Sequence, residues 1–311
     1  MISAVIPAYN EADNVGSAVR EVRTALERAG VEGEVIVVDD HSTDDTLRRA
    51  VAAEPDRVRG IRLSRRSGSH AALRAGLAEA RGDAVLCLSA DGQDDPAALP
   101  EMIEKWRGGA KVVWAVRRRR NEPAGQKLFA LLFYRLIRWM GMGSAGDVDL
   151  ARADFYLLDR SVVDAINACS ERNTSLFGLI AWVGFRQDSV TYDRRPRRSG
   201  ASKWTMRSRL NMAWDWVIGF SGLPLRLITM TGLATAAVGF LYAVFLVFYT
   251  LAGHVRPGFA EQTVLLLLLS GLQLTMLGIM GEYLWRNIEE SRRRPLYFIE
   301  DRLGGAGGGG P

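Results

Sequence analysis

Cysteine is scarce: the 311 residues hold two, Cys87 and Cys169. Cys87 falls inside an apolar run of buried-strand character. A disulfide framework is therefore not expected, and a reducing compartment is. Glycine-rich phosphate loops are missing as well. Neither a dinucleotide fingerprint nor a P-loop follows the first predicted strand, so any diphosphate must be held by a metal or by basic side chains. The chain lacks the aromatic–basic interleave of a nucleic-acid module, which argues against nucleic acid as a partner. Met1-Ile2-Ser3-Ala4-Val5-Ile6-Pro7 lacks a basic n-region, so no signal peptide is expected. Charge itself is nearly absent from roughly Leu225 to Met280, although the first two hundred residues are rich in it.

What is present reads first as alternating strands and helices. Strands are predicted at Ser3–Glu11, which runs into a loop, and at Glu34–Asp40, Val58–Leu63, Ala84–Leu88 and Lys111–Arg117. Helices are predicted after a cap at Asp13 or Asn14, after the turn His41–Thr46 and over Ser69–Ala80, the last rich in small residues that allow close packing on a sheet. This alternation implies βαβ units and a mostly parallel sheet. Three strands thus end in polar groups: Tyr9-Asn10-Glu11, Asp39-Asp40 and Ser89-Ala90-Asp91. In a parallel sheet those ends share one edge, where ligands of open α/β sheets bind.

The stretch Ser89-Ala90-Asp91-Gly92-Gln93-Asp94-Asp95-Pro96 carries the sharpest signal. Asp91 and Gln93 offer hard oxygen ligands, suited to Mg²⁺ or Mn²⁺ rather than zinc. The competing reading is a plain Asx-type turn capping the next helix. The net charge is +5, and its basic excess clusters at Arg117–Arg120 and Arg194–Arg209. Such clusters favour phosphates or an anionic membrane surface. Arg117 and Arg120, at the end of the fifth strand, are candidates for binding a phosphate through guanidinium forks.

Further along, an amphipathic helix is expected over Gln126–Met140 and a strand from Asp147 to Arg160. A helix is expected over Glu171–Trp182 and a last strand over Phe185–Tyr192. Trp204 to Leu225 is amphipathic and aromatic, as in helices lying in a membrane interface. Two uncharged runs follow, Leu227–Leu251 and Gln262–Gly281, each long enough to span a bilayer. Basic flanks on both sides place both ends in the cytoplasm and the short link outside. Gly304–Pro311 reads as a disordered tail. The expected division is a catalytic domain at 1–198, interfacial helices at 199–225, a transmembrane pair within 226–286 and a cytoplasmic tail at 287–311.

With these pieces placed, "VIPAYNEADNV", "VVDDHSTDDT", "SADGQDDP", "ADFYLLDR", "RRSGASKW" and "GLQLTMLGIMGEYLWR…RRRPLYFIE" can be read together. They resemble the polyprenyl-phosphate glycosyltransferases of inverting family 2, relatives of dolichyl-phosphate mannose synthase. The closest likeness is to the bacterial branch with two transmembrane helices that acts on undecaprenyl phosphate. The resemblance implies a Rossmann-like α/β GT-A domain, a nucleotide-sugar donor, Mg²⁺ or Mn²⁺ held by Asp91 and Gln93, and an inner-membrane location. It also implies nucleotide-sugar contacts at Pro7, Tyr9, Glu11, Asp39, Ser89 and Asp91, and catalytic roles for Asp91 and Asp154. Ser202 and Lys203 would close over the diphosphate. A homo-oligomer and a flippase partner are further implications. The family's acidic motif usually opens with Asp where this chain has Ser89. Its turn after the second strand often has Gly where this chain has His41, read as a turn residue without a catalytic role. Two alternatives are set beside this reading. One is a catalytically silent membrane scaffold. The other is a processive polysaccharide synthase, whose signature Arg135-Leu136-Ile137-Arg138-Trp139 matches in letters but not in place.

Overall fold

The computed structural model describes residues 1–118, 153–169, 171, 175–195, 223–253 and 258–305. The chain divides into two units, one of Met1–Met206 with Pro295–Pro311 and one of Arg207–Arg294.

The first unit is built on an eight-stranded sheet. Its strands are β1 (Ile2–Ala8), β2 (Gly33–Asp39), β3 (Val58–Leu63), β4 (Ala84–Cys87), β5 (Val112–Arg117), β6 (Ala153–Asp159), β7 (Gln187–Tyr192) and β8 (Ile299–Leu303). The order is β7-β5-β6-β4-β1-β2-β3-β8. β6 and β8 run against the rest. The helices are α1 (Val15–Arg28), α2 (Thr46–Ala53), α3 (Ser69–Glu79), α4 (Leu99–Arg107), α5 (Arg160–Ala168) and α6 (Leu176–Trp182).

The largely apolar sequences of β1 and β2 are explained by burial on both faces. Successive side chains in a strand point to opposite sides. Ile2, Ala4, Ile6, Val35 and Val37 pack with Val15, Val19, Val22 and Leu26 of α1. Val5, Ile36 and Val38 pack with Ala72, Ala75 and Leu77 of α3 in a second cluster. α3 lies close because it is small-sided. A Cβ added at Gly76 would overlap Val5 Cγ1 and reach within 3.2 Å of Val38.

The structure departs from the sequence reading in three places. α5 was not expected. The helix read from Glu171 begins at Leu176, with Ser175 at the N-cap position but no side-chain hydrogen bond to the helix. β8 was also unforeseen: the chain returns from the second unit to pair antiparallel with β3. The expected helix at 126–140, the first residues of the strand read from Asp147 and most of the interfacial stretch lie outside the described residues.

The second unit holds α7 (Leu223–Leu251) and α8 (Phe259–Ser291). α7 carries exposed Leu227, Phe240, Phe245 and Phe248. Among the described residues one helix, Leu225–Tyr249, is long and apolar enough to cross a membrane, and none of that stretch is buried. The uncharged run 262–281 lies within α8, which continues into charged residues up to Ser291.

Gly76→Ala should destabilise the first unit by about 1–3 kcal/mol through overpacking. Thermal unfolding of the variant checks this, and Gly76→Ala with Val5→Ala should lose less than the sum of the two single changes.

Candidate functional site

Parallel pairing sets the carboxyl ends of β1, β2 and β4 along one edge, with Ala8 opposite Asp39 and Val5 opposite Cys87. Antiparallel β6 starts at the same edge, and Arg117 at the end of β5 pairs with Tyr192 at the end of β7. Groups from distant parts of the sequence thereby converge into two networks.

The first network centres on Asp154, the second residue of β6. Its Oδ2 accepts the Tyr192 hydroxyl at 2.6 Å and lies 3.1 Å from Arg117 Nε. Its Oδ1 lies 3.5 Å from Arg194 Nη1. Arg194 Nη2 also donates to Gln93 Oε1 at 2.8 Å. The basic segment is tied to the acidic turn a second time by Arg195, which donates to Asp95 Oδ1 at 2.8 Å. Burial and the Asp94 and Asp154 charges push the Tyr192 phenol far above its ordinary range, so it remains a donor.

Inside the acidic turn, the Ser89 hydroxyl lies 2.8 Å from Asp91 Oδ1 and 2.7 Å from Asp94 Oδ2. A hydroxyl carries one proton and donates it to one acceptor at a time. Ser89 N also donates to Asp94 Oδ2 at 2.7 Å, and Gln93 N to Asp91 Oδ1 at 3.1 Å. Gly92 supplies the turn with φ +73°. Asp94 is buried. Burial pushes its carboxyl up to about 6; the Ser89 hydrogen bonds oppose this, and the nearby Asp154 and Asp91 charges add to it.

The second network centres on Asp39, fully buried at the end of β2. Asp39 Oδ2 accepts Arg62 Nη1 at 2.9 Å, and Oδ1 accepts Ser42 N at 3.1 Å. Burial raises its carboxyl above 3.8, while the Ser42 hydrogen bonds and the Arg62 charge oppose the rise. The loops after β1 and β2 are stapled together. Asn10 N donates to Ser42 Oγ, Thr43 N to Asn10 Oδ1 and Glu11 N to Thr46 Oγ1, each at 2.9 Å. Glu11 Oε2 accepts Asn14 Nδ2 at 2.7 Å. Tyr9 lies under the Arg66 guanidinium, 4.3 Å from ring centroid to Cζ. Pro7 sits within β1 opposite Val38. His41 adopts φ +60°, the left-handed region that glycine tolerates best. Asp40 turns away from this network to accept Ser67 N and Gly68 N at the start of α3.

Of the residues singled out from sequence, Asp91, Gln93, Ser89, Asp154 and Arg117 are joined in the first network. Pro7, Tyr9, Glu11 and Asp39 line the β1 and β2 ends. Arg120, Ser202 and Lys203 lie outside the described residues. Sequence reasoning missed Arg194, Tyr192 and Asp94. Arg194 was submerged in a basic run, and Tyr192 read only as the end of a strand. For Asp94, its place in an acidic turn was the available signal.

The side chains of the acidic turn offer only oxygen donors: the Asp91 carboxylate, the Ser89 hydroxyl beside it and the Gln93 amide, whose Oε1 accepts Arg194 Nη2. That chemistry fits Mg²⁺ or Mn²⁺, which keep much of their coordination for water and substrate phosphates. Among the described residues, no three His, Cys, Asp or Glu side chains are grouped to hold a metal by themselves.

The raised Asp94 carboxyl makes a pH prediction. From its ordinary 3.8 up to about 6, the folded chain holds a proton that the unfolded chain releases. Folding stability from this group is thus highest below 3.8 and falls as pH rises towards 6. Asp94→Asn should remove that fall, a difference of up to about 3 kcal/mol between pH 4 and 7. Comparing denaturation of the chain and the variant across that range reads it, and parallel curves would refute it.

The Glycosyl transferase family 2 model matches residues 3–152. Over 307 residues the chain is 39% identical to an uncharacterised glycosyltransferase of Synechocystis sp., covering 97% of this chain and 96% of that one. It is 35% identical over 304 residues to a bactoprenol glucosyl transferase of Shigella phage SfV, covering 96% of this chain and 98% of that one. A prophage bactoprenol glucosyl transferase homolog of Escherichia coli is 34% identical over 303 residues, with 96% and 98% covered. Among solved structures, glucosyl-3-phosphoglycerate synthase from Mycobacterium tuberculosis in complex with Mg²⁺ and UDP aligns with TM-score 0.52. That alignment has 20% identity and covers 70% of this chain and 77% of that one. At that identity the likeness establishes a GT-A-like fold and no more. The near-full-length relatives establish the rest: the chain is a glycosyltransferase and belongs to glycosyl transferase family 2.

Proposed function

We propose that the chain transfers a sugar from a UDP- or GDP-sugar to a polyprenyl phosphate of the undecaprenyl type, with inversion at the anomeric carbon. The observation that carries this reading is the Asp154 network. It sets two guanidinium groups beside the acidic turn, giving anion binding next to an oxygen-rich cation site. The bactoprenol named in the relatives is a polyprenyl acceptor, which supports the same class here.

The nucleophile is an oxygen of the acceptor phosphate. A phosphate monoester has its second pKa near about 6, so it is largely dianionic at neutral pH and needs no strong base. As its oxygen bonds to the anomeric carbon, the bond from that carbon to the nucleoside diphosphate breaks, and the electron pair leaves with the diphosphate. Alignment and charge neutralisation carry such a reaction. Arg117 grips the acceptor phosphate. Asp154, held by Tyr192, aims Arg117 and Arg194 rather than removing a proton. Asp91 and Gln93 would hold Mg²⁺ or Mn²⁺, which supplies Lewis-acid neutralisation of the leaving diphosphate. Asp39, Tyr9, Pro7 and Glu11 receive the nucleoside. Arg120, Ser202 and Lys203 complete the phosphate contacts.

α7 and the uncharged run 262–281 form a two-span hairpin in this reading, with the glycosyltransferase unit on the cytoplasmic side. The basic residues at Arg226, Arg286 and Arg292–Arg294 favour that side. A lipid phosphate presents its head group at the same surface.

The detergent-solubilised chain, given undecaprenyl phosphate, Mg²⁺ or Mn²⁺ and a panel of UDP- and GDP-sugars, should yield a lipid-linked monosaccharide by product mass. No product with any donor would overturn the reading. Asp91→Asn should lower turnover about 100-fold or more with the thermal midpoint kept; full activity would remove the metal assignment. Arg117→Gln should raise the KM for lipid phosphate about tenfold with donor KM little changed. An effect confined to the donor would place Arg117 elsewhere.

A further inference from the structure

β8 joins the sheet with an irregular register. Arg62 pairs with Asp301 and Leu63 with Ile299, so Glu300 has no partner residue on β3. It is the extra residue of a β-bulge, a feature that re-aims a side chain. The Glu300 carboxylate accepts Arg62 Nε at 3.0 Å. The same guanidinium donates Nη1 to Asp39 at 2.9 Å and Nη2 to the Ser42 carbonyl at 3.0 Å. Three nitrogens of one planar fork are thus each given a separate acceptor. Ser42 in turn donates its N–H to Asp39 and accepts from Asn10 N. The chain of contacts runs from β8 through β3 and β2 to the loop after β1.

An exposed ion pair normally contributes little. Here the Glu300 side chain is 48% exposed and that of Arg62 is 30%, yet the Asp39 side chain at the far end is 0% exposed. A buried carboxylate left with a wandering counter-charge is costly and poorly aimed. The contribution of Glu300 is therefore orientation of the fork more than stability of the strand.

We propose that Glu300 is a positioning residue for the donor nucleotide. Its bulged carboxylate fixes the Arg62 guanidinium, and Arg62 fixes the Asp39 carboxylate that receives the nucleoside. This rests on the reading of Asp39 as part of the nucleotide site. It gives the residues that follow α8 a part in donor binding.

The test uses the full chain in detergent. Equilibrium binding of UDP and GDP is measured by calorimetry, and KM and kcat by transfer to undecaprenyl phosphate. Glu300→Ala should weaken whichever nucleotide binds the unaltered chain by about tenfold and raise donor KM alike. It should leave kcat and lipid KM within about twofold. Glu300→Gln, which keeps an acceptor oxygen, should recover most of the loss. Arg302→Ala breaks a different β8 ion pair, Arg302 to Glu79 at 2.8 Å, and should leave nucleotide affinity within about twofold. Asp39→Asn separates the two levels of the argument. If it weakens nucleotide binding and Glu300→Ala does not, the positioning role is overturned and the nucleotide site stands. Arg302→Ala matching Glu300→Ala would also overturn the positioning role, since docking of β8 alone would then explain both. If Asp39→Asn has no effect, or neither nucleotide binds, the site reading falls and the inference with it.

Discussion

The faces of the central strands are sealed, and everything chemical follows from that. β1 and β2 pack aliphatic side chains against α1 on one side and α3 on the other. A charged group on either face would face a steep desolvation cost. Polar side chains are consequently pushed to the ends of the strands. Because β1, β2 and β4 point the same way, their ends gather along a single rim. The two antiparallel additions then become useful. β6 enters at that rim and brings Asp154, while β8 brings Glu300.

The acidic turn shows how three carboxylates coexist in a small space. Asp91, Asp94 and Asp154 are close enough for the charges of the other two to raise the Asp94 carboxyl. Ser89 answers with a hydroxyl and a backbone N–H, and Arg117 and Arg194 answer on the far side of Asp154. Another acid at position 89 would add negative charge where the turn already has too much. Serine at this place, a departure from the family's usual Asp, is consistent with the way this turn is balanced.

Much of the fold was legible because burial writes directly into residue type. The strand at Val58–Leu63 was read with the bounds it has, and the small-residue run from Ser69 became a helix pressed against Val5. Asp91, Gln93 and Asp39 were legible because polar side chains beside apolar strands stand out, whereas Asp154 was singled out by the family resemblance. β8 was hidden for the opposite reason. Ile299–Leu303 is short, charged and half exposed, and its hydrogen bonds go to a strand more than two hundred residues earlier. Arg194 and Tyr192 were obscured by their company, since a guanidinium among many reveals no single partner. Three-dimensional pairing alone distinguishes them.

The late arrival of β8 bears on how the polypeptide matures. Arg62 and Glu300 are 238 positions apart, and both apolar helices are synthesised between them. Until the ribosome has passed those helices, the outer flank of β3 presents bare amide and carbonyl groups. Unpaired flanks of this kind recruit strands from neighbouring chains. The nascent molecule therefore has an interval of vulnerability that ends only once Ile299–Leu303 has been made. Closing ties to distant sequence of this sort delay completion, because the long intervening loop must first be drawn shut.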